Sequence, residues 1–450
     1  MIEQIEAAIK AFSDFAWGAP LLILLIGGGL YFLVYSEFVP FKHIGHALKI
    51  IRGDYDEEDG AGDINHYEAL STAIAATVGL GNISGIAIAI AMGGPGAIFW
   101  MWVSAFLGVS TKFFTCSLSI MYRGKDSKGE IQGGPMYVIE QGLGKKWKPM
   151  AIFFSIVGMI GVSPIFQANQ LTKIFTDVMI EDAGFTSSLV IGIIISIIVG
   201  IVIYGGIKRI GKVTGKLVPI MVILYVLAVL YIIISNYQNI PASFSLIFSD
   251  AFSGDAVLGG ALGGVILIGA KRAAFSNEAG IGTAPMAHGA ALTNEPIREG
   301  LVAMLGPIID TILVCTMTAL AIIITGVWNR EDLNGVTMTL EAFNIGIPYV
   351  GKYILIVCVA IFSLTTLFAF PYYGAKCLGY VIGAERKHWY NYFFLVTIVL
   401  GAVSSLAVIV NLIDGMYAMM AFPTMISALL LSPKVKTEMK RYLARHKANK

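Results

Sequence analysis

The sequence predicts an all-α polytopic membrane protein with 11 transmembrane helices: one extra N-terminal helix, then two inverted five-helix repeats whose first helices are broken. Three observations predict it. The 450 residues are 56% hydrophobic and only 13% charged, with a mean hydropathy of +0.77, whereas soluble domains carry about 25% charged residues. Runs of about 20 apolar residues, enough to cross a bilayer as helix, recur along the whole chain. Two of these runs are interrupted by glycines and polar residues, and they open matching halves of the sequence.

The spans fall near 18–38, 67–92, 95–122, 149–176, 187–207, 216–236, 257–290, 299–327, 349–381, 389–411 and 414–432. Residues 1–66 then hold an amphipathic surface helix, the extra span and a charged segment. Residues 67–236 form the first repeat, 257–432 the second, and 433–450 a basic cytoplasmic tail. Lys and Arg cluster at Lys42/Lys49/Arg52, from Arg123 to Lys148, at Lys208/Arg209/Lys212/Lys216, at Arg386/Lys387 and in the tail. With eleven spans all these clusters share one side, and Glu181, Asp182, Asp250 and Asp255 occupy the other. The positive-inside rule makes the basic side cytoplasmic, so the N-terminus is outside, the C-terminus inside, and the chain sits in the cell membrane. The basic tail fits membrane lipid headgroups and argues for no nucleic-acid partner. Met1 to Phe15 carries Glu3, Glu6 and Asp14, the wrong charge for a cleavable signal peptide. Cys116, Cys315, Cys358 and Cys377 all sit in or beside apolar runs and read as small core residues.

The second span reads ALSTAIAATVGLGNISGIAIAIAMGGPG from Ala69. Gly79, Gly81 and Gly85 crowd its middle, with Asn82 and Ser84 among them. Each glycine costs about 1 kcal/mol relative to alanine in a helix interior. One account is close helix packing, which small residues permit. The other is a break that exposes backbone groups to a ligand at mid-membrane depth. The seventh span repeats the pattern, with Ser276, Asn277 and Glu278 followed by Gly280, Gly282 and Pro285. Read as membrane-embedded, these groups must face protein, water or ligand; read otherwise, 271–290 is a cytoplasmic loop. Five spans per half put the two breaks in inverted positions, the arrangement that marks a transport site.

Other polar residues lie inside apolar runs. Ser363, Thr365 and Thr366 in the ninth span either bond back to helix carbonyls or offer oxygens to a hard cation. Gln167, Asn169 and Gln170 in the fourth either bridge helices or meet a zwitterion, since amides donate and accept. Asp310 in the eighth takes a proton or ion role, or pairs with Lys271 or Arg272.

The runs ALSTAIAATVGLGNISG, GGPGAIFWMW, QGGPMY (Gln132–Tyr137) and FSNEAGIGTAP (Phe275–Pro285) resemble the alanine or glycine:cation symporter family over nearly the whole chain. The resemblance implies the leucine-transporter fold, a midplane site and import of alanine or glycine with sodium, sometimes protons. VGLGN at Val78–Asn82 also resembles the first core helix of the bacterial leucine transporter. By that match the sodium ligands are the carbonyls of Ala75, Val78 and Phe362 with the hydroxyls of Thr365 and Thr366. Thr77, Gly79, Gly81, Gln167, Phe275, Ser276, Asn277, Gly280, Thr366 and Phe370 surround the amino acid. Family members usually read GTGN where this chain has Gly79-Leu80-Gly81-Asn82, tryptophan at Phe370 and serine at Pro371. Leu80 thus removes a hydroxyl and Phe370 frees volume.

The expected function is sodium-coupled import of small neutral amino acids by alternating access, with sodium as coupling ion and no other cofactor. The alternatives are a proton-coupled carrier of another small amino acid and a passive channel. A membrane enzyme comes third, because no nucleophile–His–carboxylate set or metal cluster stands in the sequence.

Overall fold

Every stretch read as a span contains helix. The computed structural model describes residues 2–55, 60–180, 184–204, 206–252 and 261–448. Glu181, Asp182, Asp255 and positions 257–260 of the seventh predicted span lie outside the described residues. In chain order the main helices are α1 (Ile2–Ala16) and α2 (Ala19–Tyr35), bent 46° at the break between them, then α3 (Ile44–Ile51), α4 (His66–Thr77), α5 (Leu80–Gly93) and α6 (Ala97–Met121). α7 (Lys148–Gly161), α8 (Ile165–Met179), α9 (Phe185–Ile203), α10 (Gly206–Ser235) and α11 (Ile240–Ala251) complete the first half. The second half holds α12 (Ala261–Asn277), α13 (Thr283–His288), α14 (Pro296–Ile324), α15 (Val336–Gly346), α16 (Gly351–Ile382), α17 (Trp389–Val403) and α18 (Leu406–Ala448). A short antiparallel pair, Gly124–Lys125 with Ile131–Gln132, follows α6.

Among the described residues, eight helical stretches are long and apolar enough to cross a membrane, nine if the bent α1–α2 pair is one span. The sequence expectation was eleven. The difference lies in short elements: α17 has 15 residues, and α12 stops after 17 because Glu278 leaves the helix. The protein is a multi-pass membrane protein.

Burial separates centre from periphery. In α4–α5, the whole apolar window is buried inside the protein, against 28% in α9 and 39% in the Lys212–Ser235 part of α10. The glycine-broken span is therefore enclosed by protein, and α9 and the apolar part of α10 present most of their side chains outward. That distribution follows from the backbone: a break in lipid would leave polar groups unsatisfied.

Local chemistry sets the ends of α4–α5. Asn65 caps α4, accepting from Glu68 N at 2.8 Å while Glu68 accepts from Asn65 N at 3.2 Å, a reciprocal cap. The helix ends at Val78 (φ −75, ψ 85), and α5 restarts after Gly79. The break is thus two residues, narrower than the crowding of glycines suggests. Gly81 and Gly85 lie inside α5, and a Cβ at either would meet the Phe275 ring at 3.4 and 3.7 Å. Both readings of the glycines hold, at different positions: Gly79 breaks the helix, and Gly81 and Gly85 allow close packing.

The second break spans Glu278 to Gly282, with φ of 56° at Glu278, 85° at Gly280 and 112° at Gly282. The loop reading of 271–290 fails, since residues 271–277 are buried helix. The fourth predicted span is two helices, interrupted at Val162–Pro164. The basic tail is no separate element: α18 runs on to Ala448 and docks on the protein. Tyr442 meets His46 at 2.8 Å, and Arg445 meets Glu295 at 2.6 Å. Asp250, expected in an outer loop, ends α11 and accepts from Gly96 N at 2.7 Å, fixing the start of α6.

Candidate functional site

The first break meets the middle of α16, and through Asn82 it reaches the end of α12, just ahead of the second break. Thr366 Oγ1 lies 2.9 Å from Ala75 O on α4 and 3.1 Å from Phe362 O on its own helix. Thr365 Oγ1 lies 2.9 Å from the same Phe362 oxygen and 3.0 Å from Ile361 O. Four of the five predicted sodium ligands, Ala75, Phe362, Thr365 and Thr366, are therefore linked in one oxygen cluster. The fifth, Val78, sits in the break itself. All five residues are fully buried. The hydroxyls also bond back along α16, as threonines in a helix do, so the back-bonding account of them holds. Ser363 differs, bonding only to Val359 O at 2.7 Å.

Gly79 is the point of closest approach. A Cβ there would lie 2.5 Å from Thr366 Oγ1, so glycine is required by space. Its N–H donates to Asn82 Oδ1 at 2.9 Å, capping α5 from three residues inside. Thr77 bonds back to Ala73 O at 3.1 Å.

The other face of Asn82 leads to Asp310. Its amide nitrogen lies 2.6 Å from Asp310 Oδ1 and 3.2 Å from Ser276 Oγ. Ser276 and Thr311 hydroxyls donate to Asp310 Oδ2 at 2.6 and 2.7 Å. Asn277 donates to Thr311 Oγ1 at 3.0 Å and accepts from Ala279 N at 2.9 Å. A buried carboxylate needs such donors, and the buried Lys112 of α6 adds an electrostatic attraction. Of the two readings of Asp310, the pairing with Lys271 or Arg272 is overturned. Arg272 pairs with Asp414, and Lys271 lies 4.0 Å from Asp14. Ser276 and Asn277 project polar atoms into the Asp310 network, and Asn82 ties that network to the first break. Asn82 carries more of the site than its place in the sequence suggests; its signal was a glycine followed three residues later by an amide, a capping pattern.

Aromatic walls close around this point. Phe275 packs edge-to-face on Phe166 with centroids 4.8 Å apart, and the Arg272 guanidinium lies 5.2 Å above its ring. Gln167, beside Phe166 in the first turn of α8, is buried, and its Oε1 has no hydrogen-bond partner among the described residues. Phe370 is one turn beyond Thr366 on α16, with its ring 6.3 Å from Tyr373. Gly280 stands apart from this group: a Cβ there would press on Leu25 and Met425 at 2.8 and 3.0 Å. Glu278 accepts from Thr283 and from Tyr417 OH, the latter at 3.0 Å. Asn169 and Gln170 are bridges, Asn169 donating to Ser404 O at 2.8 Å and Gln170 capping α15 through Val336 N at 3.0 Å.

Interrupted spans around an enclosed polar centre define a class of fold, and solved structures share it. The chain superposes on the amino-acid-bound structure titled "Crystal structure of MhsT in complex with L-phenylalanine" with a TM-score of 0.58 at 14% identity, covering 82% of this chain and 89% of that one. At that identity the likeness shows the leucine-transporter fold alone.

The particular family follows from sequence. The model of the sodium:alanine symporter family matches residues 2–450, and the chain belongs to that family. It is 39% identical over 442 residues to the sodium/alanine symporter AgcS of Methanococcus maripaludis, covering 96% of each chain. It is 32% identical to the probable sodium/glutamine symporter GlnT of Bacillus subtilis, over all of this chain and 93% of that one. An uncharacterised transporter of Haemophilus influenzae is 40% identical over 99% of this chain and 98% of its own length. Family members are transporters, and the class of activity is cation-coupled amino-acid symport.

Proposed function

We propose that the protein imports small neutral amino acids, alanine or glycine, together with sodium, by alternating access. The observation that carries this reading is the Thr366 hydroxyl, 2.9 Å from Ala75 O across two helices. Sodium would be held by the carbonyls of Ala75, Val78 and Phe362 and the hydroxyls of Thr365 and Thr366, all neutral oxygens suited to a hard cation. The amino acid would lie against Thr77, Gly79, Gly81, Gln167, Phe275, Ser276, Asn277, Thr366 and Phe370; Gly280, also expected there from the resemblance, faces Leu25 and Met425 instead. Gln167 supports this assignment, because a buried amide oxygen without a partner is an acceptor kept for an incoming donor such as an ammonium. Gly79 supports it too, by keeping the break open to backbone approach.

The reading includes eleven spans, a first repeat over 67–236, an inverted second repeat over 257–432, an outer N-terminus and a cytoplasmic C-terminus. Sodium supplies the drive that a zwitterion lacks. One sodium ion moving inward is worth about 2.3 kcal/mol per 100 mV, roughly 50-fold of accumulation. Coupling requires that sodium bind one conformation better than the other, and a site split between α4 and α16 does so, because its oxygens assemble only when those helices meet. Curated relatives bear names that include alanine and glutamine. The apolar walls Phe275 and Phe370 favour the smaller.

The test is radiolabelled alanine uptake into proteoliposomes with and without an inward sodium gradient. Uptake that follows the sodium gradient, and competition by glycine but not by phenylalanine, is the expected result. Uptake driven by a proton gradient alone would move the coupling to Asp310 or Glu278.

A further inference from the structure

On the basic side, the inner ends of the two interrupted spans are joined. Residues 61–64, ahead of α4, run beside residues 289–293, after α13. Asp63 N donates to Ala290 O at 2.8 Å, Leu292 N to Ile64 O at 2.6 Å and Thr293 N to Ala61 O at 3.2 Å. Ile64 and Ala291 form a parallel bridge. Arg123, two residues past the end of α6, then spends its guanidinium on main-chain carbonyls from both segments. It donates to Ala61 O at 2.6 Å, to Gly289 O and Thr293 O at 2.9 Å, and to Ala291 O. A second tie lies behind it. Glu299, in the first turn of α14, accepts from His66, the first residue of α4, and from His288, the last residue of α13, the latter at 2.5 Å.

The transport reading places the moving interface between α4 and α16, where the contact across the helices is the Thr366 hydroxyl on Ala75 O. Compared with that, parting residues 61–64 from 289–293 would break four backbone bonds and separate Arg123 either from Ala61 O or from the three carbonyls of 289–293. Each charge-assisted bond lost shifts such an equilibrium by about tenfold or more. Moving the two ends together breaks none of them. We propose that Arg123 is a positioning residue that clasps the inner ends of both interrupted spans into one body, so that they travel together and do not swing as separate flaps when the site opens inward. The proposal rests on the transport reading. A cavity of ≈ 590 Å³, lined by Ala61, Arg123, Thr293 and Asn294 among others, adjoins the clasp and gives reagents a route to it.

The experiment locks the clasp covalently. Ile64→Cys and Ala291→Cys are placed in a chain whose four native cysteines are replaced. Paired strands lie about 4.8 Å apart, within the range a disulfide spans; mercuric ion bridges the pair if oxidation is incomplete. The oxidised protein should keep alanine uptake within about twofold of the reduced protein, a change too small to signal a lost contact. Arg123→Ala and Arg123→Lys should each lower uptake by about tenfold or more, since a lysine ammonium cannot span four carbonyls, while sodium-dependent alanine binding in detergent stays. Oxidising the cysteine pair in the Arg123→Ala background should restore uptake, which a merely local folding role would not allow. If oxidation abolishes uptake and a reductant restores it, the ends must part and the proposal is wrong. Unchanged uptake in both Arg123 variants would overturn it equally. Should Arg123→Ala not fold, the oxidised and reduced forms of the otherwise intact chain still decide. Absence of any amino-acid uptake in the unmodified protein would show itself first, and would refute the transport reading and the clasp with it.

Discussion

Alanine at position 79 is the smallest change that addresses the site. Gly79 has a φ of −142, outside the left-handed region that favours glycine, so the cost of a methyl group here is mainly one of space. The added methyl has one obstacle, Thr366 Oγ1 at 2.5 Å; the next atoms, Thr366 Cβ and Phe362 O, are at 3.7 and 3.9 Å. Thr366 is fully buried and mid-helix, and its β-branched side chain has little rotamer freedom there. Overpacking of this kind costs about 1–3 kcal/mol. The cost falls only on the conformation in which the first break touches α16. A value of about 2 kcal/mol lowers the population of that conformation roughly 30-fold, and the apparent affinities for sodium and alanine fall by up to the same factor. Scintillation proximity binding of labelled alanine at several sodium concentrations measures it. Gly79→Ala combined with Thr366→Ser should recover only part of the alanine affinity, because a serine can turn its hydroxyl out of the methyl's way but then gives up the contact that Thr366→Val removes. Wild-type binding in Gly79→Ala would refute the reasoning: the break would not close on Thr366 when sodium and substrate bind.

Three further outcomes follow from the same geometry. Thr365→Val and Thr366→Val should each raise the sodium concentration for half-maximal alanine binding by about tenfold, the loss of one hydroxyl interaction, whereas Ser363→Ala should leave it unchanged. Gln167→Leu should leave the melting temperature equal or higher, since it removes a buried acceptor that lacks a partner, yet weaken alanine by about tenfold; a lower melting temperature with normal binding would make Gln167 structural. A cysteine at position 440 should react with membrane-impermeant maleimide only from the cytoplasmic side and one at position 184 only from outside, and labelling of both from one face would end the eleven-span topology.

Both breaks were legible in the sequence, because polar residues and freed backbone groups inside an apolar run have to be sheltered from lipid. Their extent was not. Gly79, Gly81 and Gly85 look alike in the sequence, and only the Thr366 hydroxyl and the Phe275 ring distinguish a break from a packing contact. Asp310 shows a different failure. Lys271 and Arg272, in the second interrupted span, were its candidate cations in the sequence, but Arg272 meets Asp414 and Lys271 approaches Asp14. The groups that hydrogen-bond Asp310 are neutral, the cation that attracts it is Lys112 of α6, and Asn82 lies 228 residues away. Spacing along a sequence locates polar residues in a span; it does not reveal which distant span supplies their partners. The resemblance, not spacing, is what groups Ala75, Phe362, Thr365 and Thr366, and these four are joined by hydrogen bonds.

The contact between Ala75 and Thr366 also has a history within each molecule's synthesis. Its partners are 291 residues apart, so at about 5–20 residues per second the first break exists for roughly 15–60 s before the helix that covers it has been made. During that interval a glycine-interrupted span must be inserted with its carbonyls facing water, insertase or early helices such as α6. Ribosome pausing or truncation before residue 366 would prolong that exposure. The same two residues that place an oxygen cluster at the centre of the finished protein therefore set how long its glycine-broken span waits for cover at the membrane.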